Sequence, residues 1–247
     1  MTYATYKPRQ PVGPGRGGLL GVGEHLWLVI HTSEGSEGIN SAEALVGFIG
    51  TSATPPPNQN VASYHYVFDT DGIFPVVPDD KRANHAGGGN ENGLGACIPG
   101  TARQTRDQWF DEVTSQYLER CAEWLADKHL EYGIPLRKIL PEDLVAGRKG
   151  VCGHVDVSNA FHKSDHTDPG TSFPWAWVIT RANHLVAPPP EEDEVTAEEV
   201  QAIVDAAEER IVARINRSIE VTREGRQEQR AQYQRLLGEV DEVEETQ

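Results

Sequence analysis

The stretch VCGHVDVSNAFHKSDHTDPGTSFPW, Val151 to Trp175, sets three histidines (His154, His162, His166) and three aspartates (Asp156, Asp165, Asp168) among Gly, Pro and Ser. It opens on Val151 and Cys152, which read as the end of a core strand running Lys149 to His154, and it continues as a polar loop. Imidazole and carboxylate are the ligands zinc takes where it must stay reactive, with three protein ligands and a fourth position left for water. His154, at the end of the apolar patch, and Asp168, just before a Pro-Gly turn, offer two of the three. The third must come from elsewhere in the chain.

His31 is the candidate. It ends LWLVIH (Leu26 to His31), an apolar, β-branched run that reads as a buried strand. A histidine at the mouth of such a strand is held rigidly, as a ligand should be. A lone histidine in that place is more often simply bonded to backbone; the two stretches taken together shift the balance toward a metal. Cys152, two residues before His154, competes as a ligand, although a small buried apolar residue is its commoner role.

Outward from these stretches the chain alternates strand and helix signals, an α/β pattern. Asn40 and Glu43 form a capping box ahead of Leu45, Phe48 and Ile49. TSATPPPNQN (51–60) reads as a loop, and VASYHYVFD (61–69) as a strand paired through Asp71-Gly72 with 73–77. Asp79 to Gly93 reads as a loop and Leu94 to Ile98 as a strand. Thr105 and Gln108 form a second box, opening one long helix from Arg106 to Tyr132 that stops at Gly133. Pro141 starts a short helix through Val145, and Pro174 to Arg181 reads as a closing helical turn.

The domain reading is a flexible lead at 1–18, a catalytic domain at 19–187, a Pro/acidic linker at 188–195 and an acidic amphipathic helix and tail at 196–247. Val200, Val204, Ala207, Ile211, Ile215 and Ile219 give that helix an apolar stripe, which either packs or self-associates. From Glu191 onward there are 17 acidic and 7 basic residues, a net −10 within a chain total of −16. Such acidity argues against nucleic acid and anionic membrane as partners. No stretch approaches the ~20 apolar residues of a membrane span, and the N-terminus has no apolar core of the kind an export signal carries. The 3 cysteines lack CxxC spacing and suggest no disulfide framework.

A strand ending His-Thr-Ser, then SYHYVFDTDG, NHAGGGNENGLGA, GHVDV and DPGTSFPW, resembles in its order the zinc N-acetylmuramoyl-L-alanine amidases, a superfamily that includes peptidoglycan recognition proteins and phage endolysins. The wording is most similar to the lysin A amidases of phages that infect actinobacteria, and the resemblance covers roughly Leu19 to Arg181. It implies a mixed central β-sheet flanked by helices. It also implies hydrolysis of the bond between the lactyl group of N-acetylmuramic acid and L-alanine in peptidoglycan. The biological role implied is host lysis, by a protein held in the host cytoplasm until another protein opens the membrane.

Carried over residue by residue, the resemblance assigns zinc to His31, His154 and Asp168, with His162, His166 and Asp165 as rivals inside a lengthened loop. Relatives place an oxyanion-stabilising Lys two residues before the third ligand; here that residue is His166, with Lys163 as the alternative donor. Some relatives use a Glu where this chain has Cys97, others a Tyr where it has Tyr64. Tyr64 is therefore read as orienting water or stabilising the transition state, against plain packing. His65 alternates to the other face and reads as structural. His85, Asn84, Asn90 and Asn92 fall where substrate is bound, although Asn is also an ordinary turn residue. Asp156 orients His154 or caps the loop, and Glu34 is a weaker candidate of that kind. Two rival functions are a peptidoglycan-binding module without catalysis and a zinc peptidase cutting the stem peptide. The three filled ligand positions favour the amidase.

Overall fold

The computed structural model describes residues 2–10, 17–21, 23–50, 62–187 and, further on, 201, 205–206, 208–215, 217, 220, 225 and 227–228. The loop expected at 51–60 and the linker at 188–195 lie outside the described residues. The chain divides into Met1–Ala187 and Pro188–Gln247.

The first unit is built on a five-stranded mixed sheet. β2 (Trp27–Thr32) lies between β6 (Gly93–Ile98) and β7 (Gly150–Gly153), parallel to both. β3 (Tyr66–Phe68) joins β6 in parallel and β4 (Ile73–Pro75) closes that edge antiparallel, giving the order β4-β3-β6-β2-β7. β1 (Gly17–Gly21) and β5 (Lys81–Ala83) form a separate antiparallel pair.

β2 is buried along its whole length because both faces of the sheet are covered. Leu28 and Ile30 point into a cluster with Trp109, Tyr117, Leu118, Trp124 and Val178. That cluster belongs to α2 (Arg106–Trp109), α3 (Thr114–Tyr132) and α6 (Trp175–Val186). Trp27 and Val29 point the other way, against Leu144 of α4 (Pro141–Val145) and Val157 of α5 (His154–Phe161). Each such fully buried aliphatic side chain contributes about 1.5–3 kcal/mol. Period-two alternation then puts His31 on the Trp27 face, where α1 (Ser41–Gly50) also packs through Val46 and Ile49.

Several elements differ from the sequence reading. The long helix is two: α2 keeps the Thr105–Gln108 capping box, and Asp111 restarts the chain by accepting from the amides of Val113 at 3.0 Å and Thr114 at 2.7 Å. His154 begins a helix and does not end a strand. The Asp156 carboxylate accepts the Gly153 amide at 2.7 Å and caps α5, so half of the supposed loop is helical. The strand expected at 61–69 is confined to β3, and α6 runs five residues beyond Arg181, to Val186. The lead at 1–18 is not loose where it is described: residues 5–10 bond the free edge of β4, with Lys7 N–H donating to Ile73 O at 2.8 Å and Gln10 N–H to Pro75 O at 2.9 Å. An unpaired edge strand is a row of open donors and acceptors, and this segment covers it.

In the second unit residues 205–206 and 208–215 are helical, with Ile211, Val212 and Ile215 exposed. No helix among the described residues is long and apolar enough to cross a membrane.

Candidate metal centre and active site

Three elements converge at the carboxyl ends of the parallel strands. His31 sits at the end of β2, His154 opens α5 straight from β7, and Asp168 follows on the returning loop. Gly153 permits that return: a Cβ there would lie 2.6 Å from Pro169 and 3.2 Å from the Asp168 carbonyl. Val155 N–H donates to the Asp168 carbonyl at 2.9 Å, fixing the loop to the first turn of α5. All three side chains are buried, and one ligand atom from each lies within 4.8 Å of the others.

Hydrogen bonding decides which imidazole nitrogens are bare. His85 is buried, and burial holds its pKa well below the ordinary value, with neighbouring histidines adding to the effect. Its Nε2 lies 3.0 Å from the Gly93 carbonyl and must donate; its Nδ1, 3.1 Å from His31 Nε2, must then accept. His31 therefore spends its one proton on His85, because burial lowers its pKa to about 4 and keeps it neutral. Its bare Nδ1 faces Asp168 Oδ2 at 3.1 Å, while His154 Nδ1 faces Asp168 Oδ1 at 3.2 Å. A lone pair aimed at a carboxylate in a buried place is repulsive; a cation bound to both removes the conflict. Two imidazoles and one carboxylate are a donor set of the catalytic zinc type. The residues present fit the ion.

His85 is placed by its strand neighbour. A Cβ on Gly95 of β6 would lie 2.5 Å from the His85 ring, so glycine there makes room for the imidazole that orients His31. Asn90 supports the same loop, its side-chain oxygen accepting from the amides of His85 at 2.9 Å and Ala86 at 2.7 Å.

The remaining candidates separate. The His166 ring stacks on His154 at 4.1 Å and 16°, with Nδ1 3.5 Å from Asp168 Oδ1, and it is exposed to solvent. The Tyr64 ring lies 5.1 Å from that of His31, and it packs partly buried against the cluster that holds Cys97. Burial, with the nearby Cys97 and Asp168, pushes the Tyr64 phenol well up. His65 is buried; one ring nitrogen meets the Lys81 carbonyl at 3.0 Å and the other accepts the Gly95 amide at 2.9 Å, a structural role. Asn84 is half-buried beside His85, its amide donating to Ser63 Oγ at 2.9 Å.

Asn92 sits apart from the ligand cluster. Its carbonyl accepts from Leu26 and Trp27, at the start of β2, which puts it about 16 Å along the sheet from His31. A register of parallel strands separates what the Asn-rich motif places together. His162, Lys163 and Asp165 are exposed and stand outside the ligand cluster, and Cys152 packs with Trp27 and Val29. Asp156 caps α5 and bonds Lys138 at 2.6 Å. Sequence reasoning missed Ser164, whose hydroxyl lies 3.4 Å from His154 Nε2 and 2.7 Å from that of Ser158; nothing in its spacing marks it.

The family profile described as N-acetylmuramoyl-L-alanine amidase matches residues 24–171, and the chain belongs to this family of amidases. The comparison with curated proteins returns no match. Among solved structures, the Staphylococcus aureus hydrolase AmiA in complex with its ligand is similar at 18% identity over 75% of this chain and 84% of its own, with a TM-score of 0.49. The catalytic domain of XlyA is similar at 16% identity over 72% and 99%, with a TM-score of 0.48. The N-acetylmuramoyl-L-alanine amidase LysC from Clostridium intestinale is similar at 16% over 72% and 98%, with a TM-score of 0.45.

Proposed function

We propose that this peptidoglycan amidase is a zinc-dependent endolysin that cleaves the lactyl–L-alanine amide for host lysis. The observation that carries the zinc reading is the bare Nδ1 of His31 facing Asp168 in a buried trio that also holds His154. His31, His154 and Asp168 hold the ion, which supplies a water of lowered pKa and a polarised carbonyl. His85 keeps His31 in the tautomer that leaves Nδ1 free. Tyr64 stays protonated and donates a hydrogen bond to the reacting groups. His166 stands over the open side of Asp168, where an imidazole N–H stabilises the developing oxyanion. Asn84 borders the stem-peptide path, and His85, read from sequence as a substrate contact, acts through His31 because both of its ring nitrogens are bonded.

Motif wording supports a phage lysin aimed at actinobacterial walls, waiting in the host cytoplasm until a separate pore gives access. The exposed Ile211, Val212 and Ile215 support self-association of the second unit; sedimentation of the full chain against one ending at Pro190 tests it. The central experiment is metal content plus hydrolysis of purified peptidoglycan, for the wild type and Asp168→Ala. One zinc per chain, new L-alanine amino termini and loss of both in the variant are expected. New amino termini within the stem peptide would overturn the amide assignment, and zinc without cleavage would leave a binding module.

A further inference from the structure

Hydrolysis needs a group that takes a proton from water, and most titratable side chains at this site are committed. His31, His154 and Asp168 face one another as ligands. His85 is bonded at both ring nitrogens. Burial keeps the Tyr64 phenol and the Cys97 thiol protonated.

We propose, on the basis of the amidase reading, that Glu34 accepts the proton of the attacking water. Glu34 follows β2 by two residues and has φ 54°, a left-handed conformation seldom adopted outside glycine. A glycine is available next door at Gly35, yet the strained position carries a carboxylate. Such outliers gather where function over-determines the backbone. The side chain is anchored through one oxygen only: Oε1 accepts from the Thr32 hydroxyl at 2.6 Å and from the Ala102 amide at 2.9 Å. Among the described residues no group bonds Oε2, and the residue is exposed. The amide of Thr32 also lies 3.4 Å from Asp168 Oδ2, so one residue ties both carboxylates together. Beyond Glu34 a cavity of about 420 Å³ opens between Ser36, Glu37, Thr101, Arg103 and Gln104, and Ala102, which anchors Glu34, lies within the segment that forms its wall. The arrangement is a fixed carboxylate with one free oxygen, tied through Thr32 to the ligand Asp168.

The step balances without a further reagent. Oε2 takes one proton of the water, and the hydroxide oxygen bonds the lactyl carbonyl carbon. As the C–N bond breaks, the proton on Glu34 passes to the departing L-alanine nitrogen. The products are a lactyl carboxylic acid and a free amine, with the carboxylate restored.

The test uses the full zinc-loaded chain on purified peptidoglycan, with Glu34→Gln, Glu34→Asp and, as a control on an exposed carboxylate away from the site, Glu142→Gln. Glu34→Gln should lower kcat by about 100-fold or more with KM, zinc content and melting temperature unchanged. Glu34→Asp, which keeps the charge on a shorter arm, should recover part of the loss, and Glu142→Gln should match the wild type. A Glu34→Gln kcat within about 3-fold of the wild type would overturn the proposal and pass the role to His166. Loss of zinc or of folding in Glu34→Gln, with no recovery in Glu34→Asp, would also overturn it and leave Glu34 an anchor for the 99–102 loop. A wild type that binds zinc but releases no L-alanine termini would instead overturn the amidase reading itself.

Discussion

Two buried polar clusters in the same domain are resolved in opposite ways. Around Lys128, every charge has its partner. The ammonium lies 2.7 Å from Asp79 and 2.6 Å from Glu131, and it sits over the rings of Tyr66 and Tyr132. Asp79 receives hydroxyl donors as well, from Tyr66 at 2.7 Å and Tyr132 at 2.9 Å. At the strand ends around Asp168 the counting fails: a neutral imidazole nitrogen faces a carboxylate with no proton between them. The first cluster is closed and does structural work, tying the chain around Asp79 to α3. The second offers a donor set that closes around a cation. Polarity and burial alone do not distinguish a site from a strut; what distinguishes them is whether the donors and acceptors close.

The largest effect tests the open cluster. Asp168→Ala should lower amidase activity by roughly 1,000-fold or more, since a bound ion contributes several kcal/mol to such a barrier, while the melting temperature of the metal-free protein holds. Activity in chelated buffer re-metallated with zinc measures it. Next comes the closed cluster. Lys128→Met leaves Asp79 buried without a cation and should cost about 3–5 kcal/mol of stability, read as a shift in urea midpoint. Activity per folded molecule should not change, and a loss there would mean that the two clusters are coupled.

The third prediction sharpens the tautomer argument. His85→Ala removes the acceptor that fixes His31, and zinc affinity should fall about 10- to 100-fold by competition with a chelating dye. Unchanged affinity would mean that His31 is oriented by something else. The smallest effect is pH dependence. Burial by itself would raise the Asp79 carboxyl, but the Lys128 charge and the hydrogen bonds from Lys128 and Tyr66 outweigh it and hold it below its usual range. A depressed folded pKa gives stability that is full above the ordinary carboxylate pKa and lost as pH falls through the folded one. Acidification below about pH 4 should therefore narrow the stability gap between the wild type and an Asp79→Asn/Lys128→Met double variant, seen in urea midpoints at pH 7 and pH 3.

Much of this architecture is legible in the chain. LWLVIH is apolar on both alternating sets, so it had to be a strand covered on two sides, and a parallel sheet follows. Thr105 and Gln108 name their capping box, and Gly133 names its helix stop through a left-handed φ of 64°. The trio His31, His154 and Asp168 could be chosen from strand ends and a Pro-Gly turn. What misled was local. Asp111 breaks an apolar stripe that reads as continuous, because its carboxylate caps a second helix. Asp156, read as orienting His154 or capping the loop, takes the capping role, and the cap makes His154 the first residue of α5.

Sequence by itself determined the α/β class, the amidase motifs and the identity of the residues able to bind a metal, because residue type and periodicity are written in the chain. Tertiary structure alone decided which of them meet. The parallel register sends Asn92 to the far end of β6 while bringing His85 onto His31, and the space left by Gly95 lets that imidazole in. The resulting hydrogen-bond chain, Gly93 to His85 to His31, leaves one nitrogen bare. A proton's location depends on every neighbour within reach, and those neighbours are set by folding.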